Sequence, residues 1–205
     1  MSVVGAPSAR SWVASAWSGS ELIVWGGGTT SGVLLGDGAR YSPSSNSWVG
    51  ITAIGAPIPR VFPLAVWTGT EMILWGGNTG GTYTPTGARY NPASNSWIAL
   101  PTTGTPTART YGTAVWTGRE MIIWGGHGPS DAGADLNDGA RVNPTFGSWA
   151  ALAAVAPPAP RTAAASVWTG SEMLIFGGAT WGGITLFNDD YSYVPGRLLY
   201  LYLRQ

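Results

Sequence analysis

One apolar motif recurs four times along the chain. ELIVWGG ends at Gly27, EMILWGG at Gly77, EMIIWGG at Gly126 and EMLIFGG at Gly178, so the period is 50, 49 and 52 residues. Self-similarity at such a period means one supersecondary unit stacked on copies of itself, because a single unit cannot bury its own apolar faces. Other columns keep the same register. Arg10, Arg60, Arg109 and Arg161 each stand seven residues before Trp17, Trp67, Trp116 and Trp168. A Ser/Thr-Gly turn signal follows each of those tryptophans, and Glu21, Glu71, Glu120 and Glu172 open the next run. Further on come Gly38-Ala39-Arg40-Tyr41, Gly87-Ala88-Arg89-Tyr90 and Gly139-Ala140-Arg141-Val142, with Trp48, Trp97 and Trp149 seven residues beyond the Tyr/Val position.

Each unit reads as four short strands, A to D. Strand A runs from the arginine to the tryptophan, as from Thr110 to Trp116. A tight turn at Thr117-Gly118-Arg119 leads into strand B, whose continuous apolar run suits a strand buried on both faces. After the glycine pair a variable loop leads to strand C, for example Ala88 to Tyr90. Asn91-Pro92-Ala93-Ser94-Asn95 has turn chemistry, and strand D carries Trp97. No segment has capped helical periodicity, so the chain is expected to be all-β. The ten tryptophans in the shared columns are assigned to the core, since aromatic area lets short strands bury enough surface to pack. The glycine pairs are assigned to close backbone approach or positive φ at a strand end; no Gly-Lys-Ser/Thr follows them, so they are not phosphate loops.

These columns resemble the Kelch repeat, in four copies that cover essentially the whole chain. The resemblance implies a β-propeller of four-stranded antiparallel blades, at roughly 8–52, 58–101, 107–152 and 159–205, forming a single domain over 1–205. The fourth copy departs late. Asn188-Asp189-Asp190-Tyr191 replaces Gly-Ala-Arg-Tyr, so Asp190 takes the arginine position, and Leu198 stands where tryptophan is expected. At the other end, Gly5-Ala6-Pro7 matches the linker Gly55-Ala56-Pro57, so the sequence begins inside a linker.

Kelch propellers usually have six or seven blades, and an open arc of four would expose two apolar faces. Two chains joined into one eight-bladed ring, a homodimer, are therefore expected. A closed four-bladed monomer and a fragment of a longer propeller are the alternatives.

In an A-B-C-D meander the start of A, the end of B, the start of C and the end of D share one end of the blade. The arginine column, the glycine pairs and the B–C loops cluster there. Two positions after the arginines stand Trp12, Phe62, Tyr111 and Ala163. Arg10, Arg60, Arg109 and Arg161 with Trp12, Phe62 and Tyr111 form a candidate basic, aromatic-edged site at a channel mouth, because arginine forks suit anionic or sugar-like ligands. Kelch resemblance implies that the arginine opening the inner strand often faces ligand. The competing reading is that these arginines tie down linker carbonyls. His127, Asp131, Asp135 and Asp138 lie in the third B–C loop. Their spacing lacks the alternation of a calcium loop, so they are read as a solvated polar loop with no metal, although His127 is kept as a ligand-facing candidate. Trp181, in the fourth B–C loop, is a candidate to stack on a sugar or anchor a protein; capping a gap between blades is the equal alternative. At the other end, Glu21–Arg40, Glu71–Arg89 and Glu120–Arg141 are read as structural cross-strand ion pairs.

Composition narrows the function classes. Ten Arg and no Lys balance ten acids, which gives no broad basic footprint for nucleic acid. No Cys is present, so thiolate catalysis and zinc–thiolate sites are excluded, as is the Cys-linked tyrosine of the galactose-oxidase branch of this architecture. No apolar run reaches membrane-span length. The Ser/Thr/Gly-rich composition leans toward an exported protein, although the first residues do not form a signal peptide. The lone His127 has no nucleophile at a motif spacing. The chain is read as a non-catalytic module for protein or carbohydrate, without cofactor; a self-assembling or engineered scaffold without ligand is the alternative, and an enzyme a lesser one.

Overall fold

The computed structural model describes residues 2–129, 134–153 and 157–195. Its first sheet is β1 (Ala14–Trp17), β2 (Leu22–Trp25), β3 (Gly38–Ser42) and β4 (Ser47–Gly50), in chain order and antiparallel throughout. The second is β5 (Leu64–Trp67), β6 (Met72–Trp75), β7 (Gly87–Asn91) and β8 (Ser96–Ala99). The third is β9 (Thr113–Trp116), β10 (Met121–Trp124), β11 (Gly139–Val142) and β12 (Trp149–Ala151). Among the described residues the fourth has β13 (Ala165–Trp168), β14 (Met173–Phe176) and β15 (Asp190–Tyr193). Leu198 and the strand expected around it lie outside the described residues. The chain is all-β with four blades; a single 3-10 turn at Trp181–Gly183 is the helical element among the described residues.

Two compact units divide the chain, residues 1–100 and 101–205, each holding two blades. In the first unit Ala14, Ile23 and Trp25 of one blade share a core with Met72, Leu74, Ala88, Tyr90 and Trp97 of the next. In the second, Val115, Ile122 and Trp124 share a core with Met173, Ile175, Tyr191 and Tyr193. One rule covers both. The second and fourth residues of strand B in the earlier blade meet the first and third of strand B in the later blade. Side chains alternate across a strand, so within each unit the earlier blade turns one face toward the later, which meets it with the opposite face.

Three expectations need correction. Strand A is shorter than the sequence suggests: β9 begins at Thr113, and Thr110 pairs only through an isolated bridge to His127. Tyr111 between them has φ 53°, a left-handed kink that breaks the ladder. The tryptophan columns are also not uniformly core. Trp25, Trp75 and Trp124 are buried, but Trp17 on strand A is 53% exposed. In the fourth blade Leu174 pairs with Ser192 and Phe176 with Asp190. Asp190-Tyr191-Ser192-Tyr193 is thus the counterpart of Gly-Ala-Arg-Tyr, and Ser192, not Asp190, replaces the arginine. The longer fourth B–C loop shifts the alignment by two residues.

Candidate functional site

The site end of each blade is built from backbone first. Gly26 and Gly27 have φ of 73° and 93°, and a Cβ on Gly27 would lie 2.5 Å from the Ser11 carbonyl oxygen. Glycine is required here for both conformation and approach. The freed amide of Gly27 donates to the Arg60 carbonyl of the next blade at 2.9 Å, and Gly126 repeats this to Arg161 at 2.8 Å. A second strap runs the other way: Phe62 N–H donates to the Trp12 carbonyl at 3.0 Å and Ala163 N–H to the Tyr111 carbonyl at 2.8 Å. All four residues of this column are left-handed, with φ between 53° and 61°.

The arginines lie behind this frame. Arg60, Arg109 and Arg161 are buried, and the Arg10 side chain is 5% exposed. Arg60 donates through Nε to Ile58 O two residues back, and through Nη1 to Gly76 O at the end of strand B and Thr86 O at the start of strand C. Arg109 repeats the pattern on Thr107, Gly125 and Asp138 carbonyls. The guanidinium groups therefore tie the segment leading into strand A, as the carbonyl reading expects, and also lock the strand B–strand C corner of their own blade.

Sequence reasoning missed their acidic partners. Arg10 pairs with Asp37 at 2.9 Å, Arg109 with Asp138 at 3.0 Å, and Arg161 with Asp189. The signal was available, since an acid stands immediately before the start of strand C in blades one, three and four. The hydrogen bond from Arg161 holds the Asp189 carboxyl down to about 2, and Arg10 lowers Asp37 likewise. Blade two has Thr86 in that place; burial pulls Arg60 down to about 10, and burial also lowers Arg109, where Asp138 opposes the shift. Tyr191, whose phenol donates to Asp189 at 2.6 Å, is raised, chiefly by desolvation.

Aromatic side chains project beyond the frame in each unit. In the first, the Trp12 and Phe62 rings meet at 5.0 Å between centroids, and Trp12 is 53% exposed. In the second, Trp181 stacks on His127 at 4.3 Å with 22° between planes and meets Tyr111 at 5.0 Å, while remaining 47% exposed. Asp135 fixes this cluster. Its Oδ1 lies 3.2 Å from His127 Nδ1, and its Oδ2 accepts the Trp181 backbone N–H at 2.8 Å. The third loop is therefore not simply a solvated polar loop: His127 is buried, bridging backbone to both Thr110 and Asp135. Asp131 lies outside the described residues, and no cluster of three metal-ligating side chains occurs among those described.

At the opposite end the expected ion pairs form, with Arg40–Glu21 at 3.4 Å, Arg89–Glu71 at 3.3 Å and Arg141–Glu120 at 3.0 Å. No helix among the described residues is long and apolar enough to cross a membrane. The family model described as the KLHDC2/KLHL20/DRC7 Kelch-repeats domain matches residues 2–178. No curated protein matches the chain.

Proposed function

The chain belongs to the Kelch-repeat family, and from that premise we propose that it is a non-catalytic module that binds a protein partner through the exposed aromatics at the B–C loop end of its blades. One observation carries this reading. Ala163 shows that the left-handed position folds without a large side chain, yet Trp12, Phe62 and Tyr111 occupy the same conformation in the other blades. A bulky residue at positive φ is strained, and such strain concentrates at functional surfaces. Half-exposed tryptophans held on a rigid frame suit hot spots, because little side-chain freedom remains to be lost on binding. Trp181 and Tyr111, fixed around His127, supply one such surface; Trp12 on Phe62 supplies another. Arg10, Arg60, Arg109 and Arg161 serve as the scaffold behind them.

The test is to pan the purified protein with a random peptide display library and, in parallel, a glycan array. Peptide ligands that weaken at least about tenfold in W181A or W12A, with thermal unfolding of the variants unchanged, support the reading. Binding only to glycans would move the ligand to the carbohydrate class. Peptides indifferent to both substitutions would overturn the site. A second reading, self-assembly of two chains into eight blades, draws on the exposed apolar side chains of the first and fourth blades.

A further inference from the structure

The self-assembly reading can be given specific faces. The predecessor-facing side of blade one presents Ser15, Trp17, Leu22 and Val24, and the successor-facing side of blade four presents Ala165, Val167, Leu174 and Phe176. Trp17, Val167 and Phe176 are 53%, 55% and 57% exposed. Their counterparts elsewhere are covered: Trp67 and Leu74 pack into the core of the first unit, and Val115 and Trp124 into that of the second. Within each unit the junction is also strapped by backbone, with the Gly27 and Gly126 amides on the Arg60 and Arg161 carbonyls and the Phe62 and Ala163 amides on the Trp12 and Tyr111 carbonyls.

We propose that these two faces are the halves of one repeated blade junction, and that a second copy of this chain completes it head to tail. This rests on the self-assembly reading above. Blade four of one copy then meets blade one of its partner as blade one meets blade two within the chain. Gly178 N–H would donate to the Arg10 carbonyl of the partner subunit, and the partner's Trp12 N–H to the Ala163 carbonyl. The faces differ from each other, so the contact is heterologous, and the eight-bladed pair of that reading is the case in which two such contacts are made at once. Continuity with the existing junction sets the register. Thr113 hydrogen-bonds Ser166 within the second unit, and the equivalent pair across the new contact is Ala165 with Ser15 of the partner subunit.

Light scattering on the full chain is expected to give about twice the monomer mass of 21.3 kDa. F176E and V24E, each spoiling one face at a partly or largely exposed residue, should each be monomeric at concentrations where wild type is paired. An equimolar mixture should regain pairs, because one intact junction remains between the two variants. The cysteine-free chain permits a second measurement that does not depend on those variants folding. A165C/S15C should form a disulfide-linked dimer on mild oxidation, and A165C/S45C should not. A wild-type monomer at all concentrations, or an intramolecular A165C–S15C disulfide, overturns both the assignment and self-assembly. A dimer that ignores F176E and fails to cross-link overturns the faces alone.

Discussion

Arg60 Nη1 donates to the carbonyl of Thr86 at 2.7 Å, at the position where the other three blades place Asp37, Asp138 and Asp189 beside their arginines. Blade two therefore buries a guanidinium with carbonyl and hydroxyl partners but no carboxylate. Burying a guanidinium is costly, and desolvation lowers the basicity of Arg60 to about 10, with no carboxylate to oppose it as Asp138 does for Arg109. Thr86→Asp should supply the missing partner. The equivalent Asp37 and Asp138 are more than half exposed, so solvent screening limits the gain to about 0.5–1 kcal/mol at pH 7. Urea unfolding at low and high salt checks this, and the gain should shrink with salt. Destabilisation by Thr86→Asp would mean that the threonine hydroxyl network outweighs the charge.

Acid should weaken the fold in a defined window. Asp189 titrates near 3.8 when unfolded and about 2 when folded, held down by Arg161. A depressed carboxylate stabilises above its unfolded value, and that contribution is lost as pH falls from about 4 through about 2. Asp37 shifts the same way. Asp189→Asn should cost about 1–2 kcal/mol at neutral pH, because it leaves the buried Arg161 without an anion. The variant should also show a flatter decline than wild type between pH 4 and pH 2. Parallel pH profiles would place the acid sensitivity elsewhere.

Two glycines with nearly the same φ separate conformation from contact. Gly19 has φ 96° and open space around a built Cβ, whereas Gly27 at 93° would press a Cβ to 2.5 Å from the Ser11 carbonyl oxygen. Gly19→Ala should cost about 1–2 kcal/mol, the left-handed penalty. Gly27→Ala should cost more than about 3 kcal/mol, since backbone must move as well. Equal losses in thermal unfolding would show that the approach at Gly27 relaxes freely.

Sequence periodicity made the four blades, the strand B core and the Glu–Arg ladder legible, because each is a property of every copy. It could not separate Trp17 from Trp67, which share a column and differ in what covers them. It also misplaced Asp190 by two residues, since the alignment assumed an equal loop length before strand C. Asp37, Asp138 and Asp189 were not legible as arginine partners, because the column is broken by Thr86. His127, Asp135 and Trp181 were each legible as loop residues, but the contacts that join them were not. Asp135 holds His127 and Trp181 together through contacts 8 and 46 residues apart in sequence, a relationship that arises only when two adjacent blades fold.

The left-handed column offers a way to separate strain from recognition. Ala163 has φ 53°, where an L side chain costs about 1–2 kcal/mol and glycine nothing. Glycine loses about 0.5–1 kcal/mol more chain entropy on folding. Ala163→Gly should therefore stabilise by about 0.5 kcal/mol, a rise of about 1–2 °C in Tm for a chain of this size. Tyr111→Gly relieves the same strain but deletes the ring that meets Trp181 at 5.0 Å. Its Tm should change by less than a buried aromatic deletion would impose, while any ligand held by Trp181 should weaken about tenfold. If Tyr111→Gly instead collapses stability and Ala163→Gly lowers Tm, the aromatics at this column serve the fold and the strain argument for a binding surface fails.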